Sequence, residues 1–394
     1  MLKFGMIGGG LGSYIGKFHR WGAMLDDSAE LVCGCFSRSM DKNRATAEAY
    51  HLPDTSRVYA DFREMADKES TREDGIDFVS IMTANDTHYE IAKCFLEHDI
   101  HVICDKPLAL RTEEAEELAR IAEERGLLFG ITYSYTGYAL IRQAREMIRA
   151  GVIGDILHVR VQHPEDWVIS GAVDGKVDTS AWRFQPKKVG SSLCANDLGT
   201  HAEQMVTQFT GLHVKRVLAM MDTYPRDLPL DTNVNVLMDF GGGVTGTLWA
   251  SQIAIGHECD SGIYVIGTEG SLEWTATDCD HLIYTPRSQP SQRLSAGADY
   301  LLDASTRLSR VGAGHNEGFI EAFSNIYRSF CNVLSDRKAG RENTTDTFPT
   351  VEDGVLGVRF VEACVRTSGW TYKAAPSLFD GSPPVLKVQR DFLM

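Results

Sequence analysis

At 394 residues, with 43% apolar and 24% charged side chains, the chain predicts a globular protein of two domains rather than a single core. Its formal charge of −15, from 54 acidic against 39 basic residues, repels phosphate backbones and anionic lipid, which excludes nucleic acid and membrane surfaces as partners. Met1 leads straight into an apolar strand, and no run of about 18 apolar residues follows, so a cytoplasmic location is expected.

The first predicted strand, Lys3 to Ile7, runs into Gly8-Gly9-Gly10-Leu11-Gly12-Ser13 and then a helical pattern over Ser13–Leu25. Glycines there let backbone approach a pyrophosphate, and the helix start offers free N–H groups and a partial positive charge. Gly8 and Gly10 occupy the first two positions of a dinucleotide fingerprint, with Leu11 and Gly12 following; Ser13 takes the third, where a small residue lets helix meet strand.

A second strand, Leu31–Phe36, ends in Ser37-Arg38-Ser39, where an NAD-selective site usually places an acid on the ribose 2′-hydroxyl. A carboxylate would repel a 2′-phosphate, whereas Arg38, beside Ser37 and near Lys42, can bind one, so NADP is favoured over NAD. Arg38 stacking on the adenine of NAD is the alternative. Nine cysteines without a Cys-x-x-Cys pair read as reduced thiols, and no metal site is expected.

Helical patterns over Asp41–Tyr50, Thr87–Glu97 and Thr112–Glu124 alternate with apolar strands Phe78–Met82, His101–Cys104 and Leu127–Ile131. Strands separated by single helices predict a parallel sheet, and with it a Rossmann dinucleotide-binding domain over residues 1–131. Thr83-Ala84-Asn85-Asp86-Thr87-His88 and Asp105-Lys106-Pro107 follow two of these strands, at the edge where such a sheet holds its ligand.

Residues 132–394 read as a substrate-binding and oligomerisation domain. Period-two alternation over Ile156–Val161, Val214–Met221, Asn233–Phe240, Val244–Ser251, Gly262–Ile266 and Leu272–Thr275 predicts a large, open, mostly antiparallel sheet. Helices are expected over Ala139–Ala150, Asp197–Phe209, Gly318–Leu334 and Glu352–Thr367, giving an α/β fold overall. A sheet with one uncovered face predicts a homodimer or homotetramer. The stretch from Pro286 to Gly314, rich in Ser, Arg and Gly, reads as a long mobile loop. Asp197 and His201 stand four apart, on one face of their helix, with Asp197 in its first turn.

The glycine turn, Thr83-x-Asn85-x-x-His88, Asp105-Lys106-Pro107, Trp182-Arg183 and Asp197-x-Gly199-x-His201 come in an order that resembles the Gfo/Idh/MocA oxidoreductases over nearly the whole chain. Asp105 stands where that family more often has Glu, and Ser13 where it has Gly or Ala. The resemblance implies an NAD(P)-dependent dehydrogenase acting on a secondary hydroxyl of a sugar, sugar derivative or inositol. It implies Lys106 hydrogen-bonding the reacting oxygen, and His201 as base with Asp197 assisting. Cofactor contacts would come from the glycine turn, Ser37, Arg38, Thr83, Asn85, His88, Lys106 and Arg183. Trp167, Trp182 and His315 join Lys106, Asp197 and His201 as expected substrate contacts, with Pro164-Glu165-Asp166-Trp167 along the pocket. Two other readings stay open: a redox-neutral enzyme that cleaves glycosides with retained nucleotide, and a non-catalytic nucleotide-binding sensor.

Overall fold

The computed structural model describes residues 1–173 and 181–368. Five parallel strands, β1 (Leu2–Gly8), β2 (Ala29–Cys35), β3 (Phe78–Met82), β4 (His101–Cys104) and β5 (Phe129–Ile131), form one sheet in the order β2-β1-β3-β4-β5. Their near-continuous apolar runs follow from burial on both faces by helices. The chain leaves β1 in opposite directions on its two sides, so a crevice opens at the carboxyl ends of β1 and β3. That crevice is where the glycine turn lies.

The second sheet has eight strands: β6 (Ile156–Pro164), β7 (Arg216–Asp222), β8 (Asn233–Gly241), β9 (Val244–Ser251), β10 (Gly262–Gly267), β11 (Gly270–Thr275), β12 (His281–Pro286) and β13 (Gln292–Ser295). Their order is β13-β12-β11-β10-β6-β9-β8-β7, antiparallel except for the central β6–β9 pair. Val159, Val161, Val236, Leu248 and Val265 face inward onto Met205, Val206 and Phe209 of the helix Thr200–Thr210. The opposite face leaves Leu157, Met220 and Leu237 exposed.

Three features differ from the sequence reading. A helix, Phe62–Thr71, stands between β2 and β3 where the sequence reading placed none; Phe62, Met65 and Ala66 turn to the core, and Asp61 caps it by accepting from the Arg63 N–H. The expected mobile loop after Pro286 carries β13 and a helical turn, Asp303–Thr306. Four residues in each of these two elements leave little period to read. Finally, the late helix Phe319–Lys338 covers the N-terminal sheet, placing Phe323, Tyr327 and Phe330 against Phe4 and Phe78. The helix Val351–Thr367 contributes Val351, Val355 and Val358 to that domain's core, and Phe360, Val361 and Cys364 to the other. No helix among the described residues is long and apolar enough to cross a membrane.

Candidate active site

A cleft of about 1260 Å³ opens between the two sheets, lined from the glycine turn (Gly12, Ser13), through Thr83, Asn85 and Lys106, to Asp197 and His201. Gly8, Gly9 and Gly12 hold positive φ of 83°, 70° and 87°, which only glycine adopts cheaply. A Cβ on Gly12 would meet nothing, so its backbone borders open space. The helix Tyr14–Met24 carries no acid in its first turn, and its start lines the cleft. Open backbone at a helix N-terminus is a cradle for a pyrophosphate, so the residues present fit a dinucleotide. Ser13 does not perform the packing role expected of it. It caps the helix, its Oγ accepting from the Gly16 N–H at 3.1 Å. The close approach of helix to turn belongs to Gly16, where a Cβ would lie 2.4 Å from the Gly9 Cα. Leu11 is exposed, and its N–H donates to Thr46 Oγ1.

Ser37 accepts from the Ser39 N–H, and Arg38 is exposed, with no hydrogen bond or ion pair among the described residues. His88, foreseen as a cofactor contact, is buried away from the cleft surface. Its Nδ1 stands 2.8 Å from the Pro107 carbonyl and its Nε2 3.2 Å from the Thr83 carbonyl, and the neutral ring, wedged between the two loops that line the site, donates to one of them. Burial holds its pKa below the usual imidazole value.

Lys106 projects from the end of β4 and is mostly buried. Its Nζ donates to Asp197 Oδ1 at 2.8 Å and to the Asp197 carbonyl at 2.6 Å. Gln252 donates to the other carboxylate oxygen at 3.1 Å. Burial alone would raise the Asp197 carboxyl, but the charges of Lys106 and Arg183 and the Lys106 hydrogen bond outweigh it and hold the pKa below the usual range. Asp197 sits in a widened π-helical turn, Ala195–Gly199, continuous with the helix Thr200–Thr210. Buried Asp231 anchors its start by accepting from Ser192 Oγ and the N–H groups of Leu193, Cys194 and Ala195.

The expected partnership of Asp197 with His201 needs correction: the carboxylate faces Lys106 and Gln252 instead. A widened turn departs from the 3.6-residue register on which the shared-face expectation rests. His201 is packed edge-on against Tyr133 and Tyr135, with the His163 ring centroid 5.6 Å away. Burial first, then the charges of Lys106 and His163, push its pKa well below the ordinary value, so the imidazole is neutral. Its Nδ1 is sealed without a partner, which leaves Nε2 as the nitrogen open to the cleft.

Trp167, Trp182 and Arg183 line the cleft, the Arg183 guanidinium stacked 4.6 Å from the Trp182 ring centroid. Glu165 lines it too, whereas His315 is exposed on its own loop, bonded to the Gly312 carbonyl. Tyr135, His163 and Gln252 were not foreseen. His163 directly precedes the Pro164-Glu165 stretch already marked as pocket wall, so the alternation of β6 could have flagged it; the others carry no motif.

The N-terminal residues 2–133 match the family described as oxidoreductase family, NAD-binding Rossmann fold, and residues 141–273 match the GFO/IDH/MocA C-terminal domain. The chain is 34% identical over 373 residues to the uncharacterized oxidoreductase YfiI of Bacillus subtilis (strain 168), covering 93% of this chain and 94% of that one. An inositol dehydrogenase homolog from Azotobacter vinelandii, solved with NAD+, superposes with a TM-score of 0.89 at 34% identity, over 98% of this chain and 97% of that one. The same homolog with NADH and myo-inositol gives 0.86 at 35% identity, over 93% and 95%.

Proposed function

The chain belongs to the Gfo/Idh/MocA oxidoreductases, and on that premise we propose that it oxidises a secondary hydroxyl of a sugar, sugar derivative or inositol, or reduces the matching ketone. The observation that carries this reading is the convergence of the Lys106 ammonium and the His201 imidazole in one cleft with the glycine turn. A bound nicotinamide nucleotide supplies a hydride acceptor at C4 of its ring. The chain supplies the rest. Lys106, oriented by Asp197, donates to the reacting oxygen and stabilises charge developing on it. His201 is neutral, so its Nε2 takes the hydroxyl proton as hydride departs from the carbon. In the reductive direction the same imidazole returns that proton. Trp167, Trp182 and Glu165 border the space left for the substrate.

NADP is favoured over NAD, because Arg38 is an unpaired cation among the described residues where a 2′-phosphate would lie. Similarity to a homolog solved with NAD+ argues the other way. Assembly into a homodimer or homotetramer through the uncovered sheet face follows from Leu157, Met220 and Leu237 being exposed there. The test is a panel of sugars and inositols, and the matching ketones, offered with each nucleotide while reduced-nicotinamide absorbance is followed. Turnover of at least one cyclic polyol is expected; a chain that binds nucleotide and turns over none would overturn the reading.

A further inference from the structure

We propose that His19 is a positioning residue that holds the Asp105 carboxylate in place and, through it, the backbone of Lys106. The inference rests on the role given above to Lys106. His19 lies on the helix Tyr14–Met24 that follows the glycine turn, and its ring is wholly buried. Tyr327 OH stands 2.6 Å from His19 Nδ1 and 2.6 Å from Ser80 Oγ, and Ser80 Oγ is 3.2 Å from the same Nδ1. The two hydroxyls also bond each other, so one of them is left to donate to the single lone pair of Nδ1; with Nδ1 accepting, the proton sits on Nε2, on the side of Asp105. Nε2 is sealed from solvent without a hydrogen bond, and faces Asp105 Oδ2 at 3.9 Å. At that distance the attraction is electrostatic rather than a formed hydrogen bond.

The other carboxylate oxygen, Oδ1, accepts from the Lys106 N–H at 2.8 Å and from Thr132 Oγ1 at 3.1 Å. A hydroxyl, an imidazole and a carboxylate thus stand in line beneath the nucleotide cradle, ending on the peptide that carries the ammonium. The groups facing Asp105 are His19 from its helix, His88 from the helix His88–Glu97, Tyr327 from the helix Phe319–Lys338, Tyr133 after β5, and Cys104 and Lys106 beside it. Burial alone would raise its pKa; His19, Lys106 and His88 together bring it down to about 2. Lys106 is bonded twice to Asp197, so the carboxylate grips the lysine's peptide at one end and Asp197 its ammonium at the other. Neither Phe nor Leu at position 19 could supply the donor.

The experiment compares His19→Phe and His19→Gln with the native chain by NMR of selectively labelled Asp carboxyl carbons and the Lys106 amide, alongside kcat against pH. His19→Phe should raise the Asp105 titration by about one unit or more and move the Lys106 amide resonance with it. Its kcat should fall by a similar factor across the assayed pH range, because a carboxyl moved up from about 2 by about one unit stays ionised there, with the nucleotide KM unchanged. His19→Gln, whose amide can take the place of Nε2, should restore both. Tyr327→Phe, should His19→Phe fail to fold, is expected to shift Asp105 in the same direction by less. An unmoved Asp105 titration in a folded variant, or a kcat loss that Gln does not restore, would overturn the proposal. The carboxyl titration needs no substrate, so a chain that turned over no polyol would sink the dehydrogenase reading while the NMR still decided the role of His19.

Discussion

Lys106, after β4, and Asp197, in the π-helical turn Ala195–Gly199, are 91 residues apart and joined twice: the ammonium donates to the side-chain carboxylate and to the main-chain carbonyl. The double contact fixes where the charge points as well as that it is paired. It also joins the N-terminal half to the half that carries His201.

Lys106→Met keeps the length of the stem and removes the charge. Turnover should drop by about two to four orders of magnitude while nucleotide affinity, followed by fluorescence titration, changes little. A loss confined to nucleotide affinity would move Lys106 out of the reacting site.

His201 is held neutral by burial and by neighbouring charge, which lowers its pKa below about 6.5, the unfolded value. The acid limb of kcat/KM should therefore lie below pH 6.5, since the base is lost only as pH falls through the folded pKa. The same shift predicts that stability is full above the unfolded pKa and declines as pH falls below it, because the unfolded chain then binds the extra proton. Thermal melts from pH 8 to pH 5 check this. His201→Ala should cut turnover about a hundredfold or more and abolish its own share of the pH-dependent melting.

Gly16 meets the Gly9 backbone so closely that Gly16→Ala forces the helix away from the turn. Nucleotide binding should weaken by about tenfold or more, with a loss of stability of roughly 1–3 kcal/mol. Ser13→Ala removes only a helix cap, costing about 1 kcal/mol, so calorimetry and nucleotide titration of the two variants separate capping from cradle geometry.

Arg38→Asp should weaken NADP far more than NAD, by about tenfold or more in the ratio of their dissociation constants. An equal effect on both nucleotides would remove the 2′-phosphate assignment and favour adenine stacking.

Much of this was legible in one dimension because the signals are local. The glycine turn and the strand ends bearing Thr83 and Lys106 are each written in a handful of consecutive residues. What misled was equally local. Ser13 fills the third fingerprint position, yet it is Gly16 that lets helix meet turn. An ideal helix would stack Asp197 on His201, but a π-helical turn hands the carboxylate to Lys106. His88 bears a family motif and serves to brace two loops rather than border the cleft.

Periodicity and turn chemistry alone determined that a parallel sheet precedes a mostly antiparallel one, and which loops carry polar groups to the crevice, because these depend on neighbours in sequence. Only the folded chain decided that Phe319–Lys338 would roof the first sheet, that Tyr327 and His19 would meet behind Asp105, and that His201 would be neutral. Burial and charge act through space, and their strength at any atom is set by whichever distant residues the packing brings within a few ångströms.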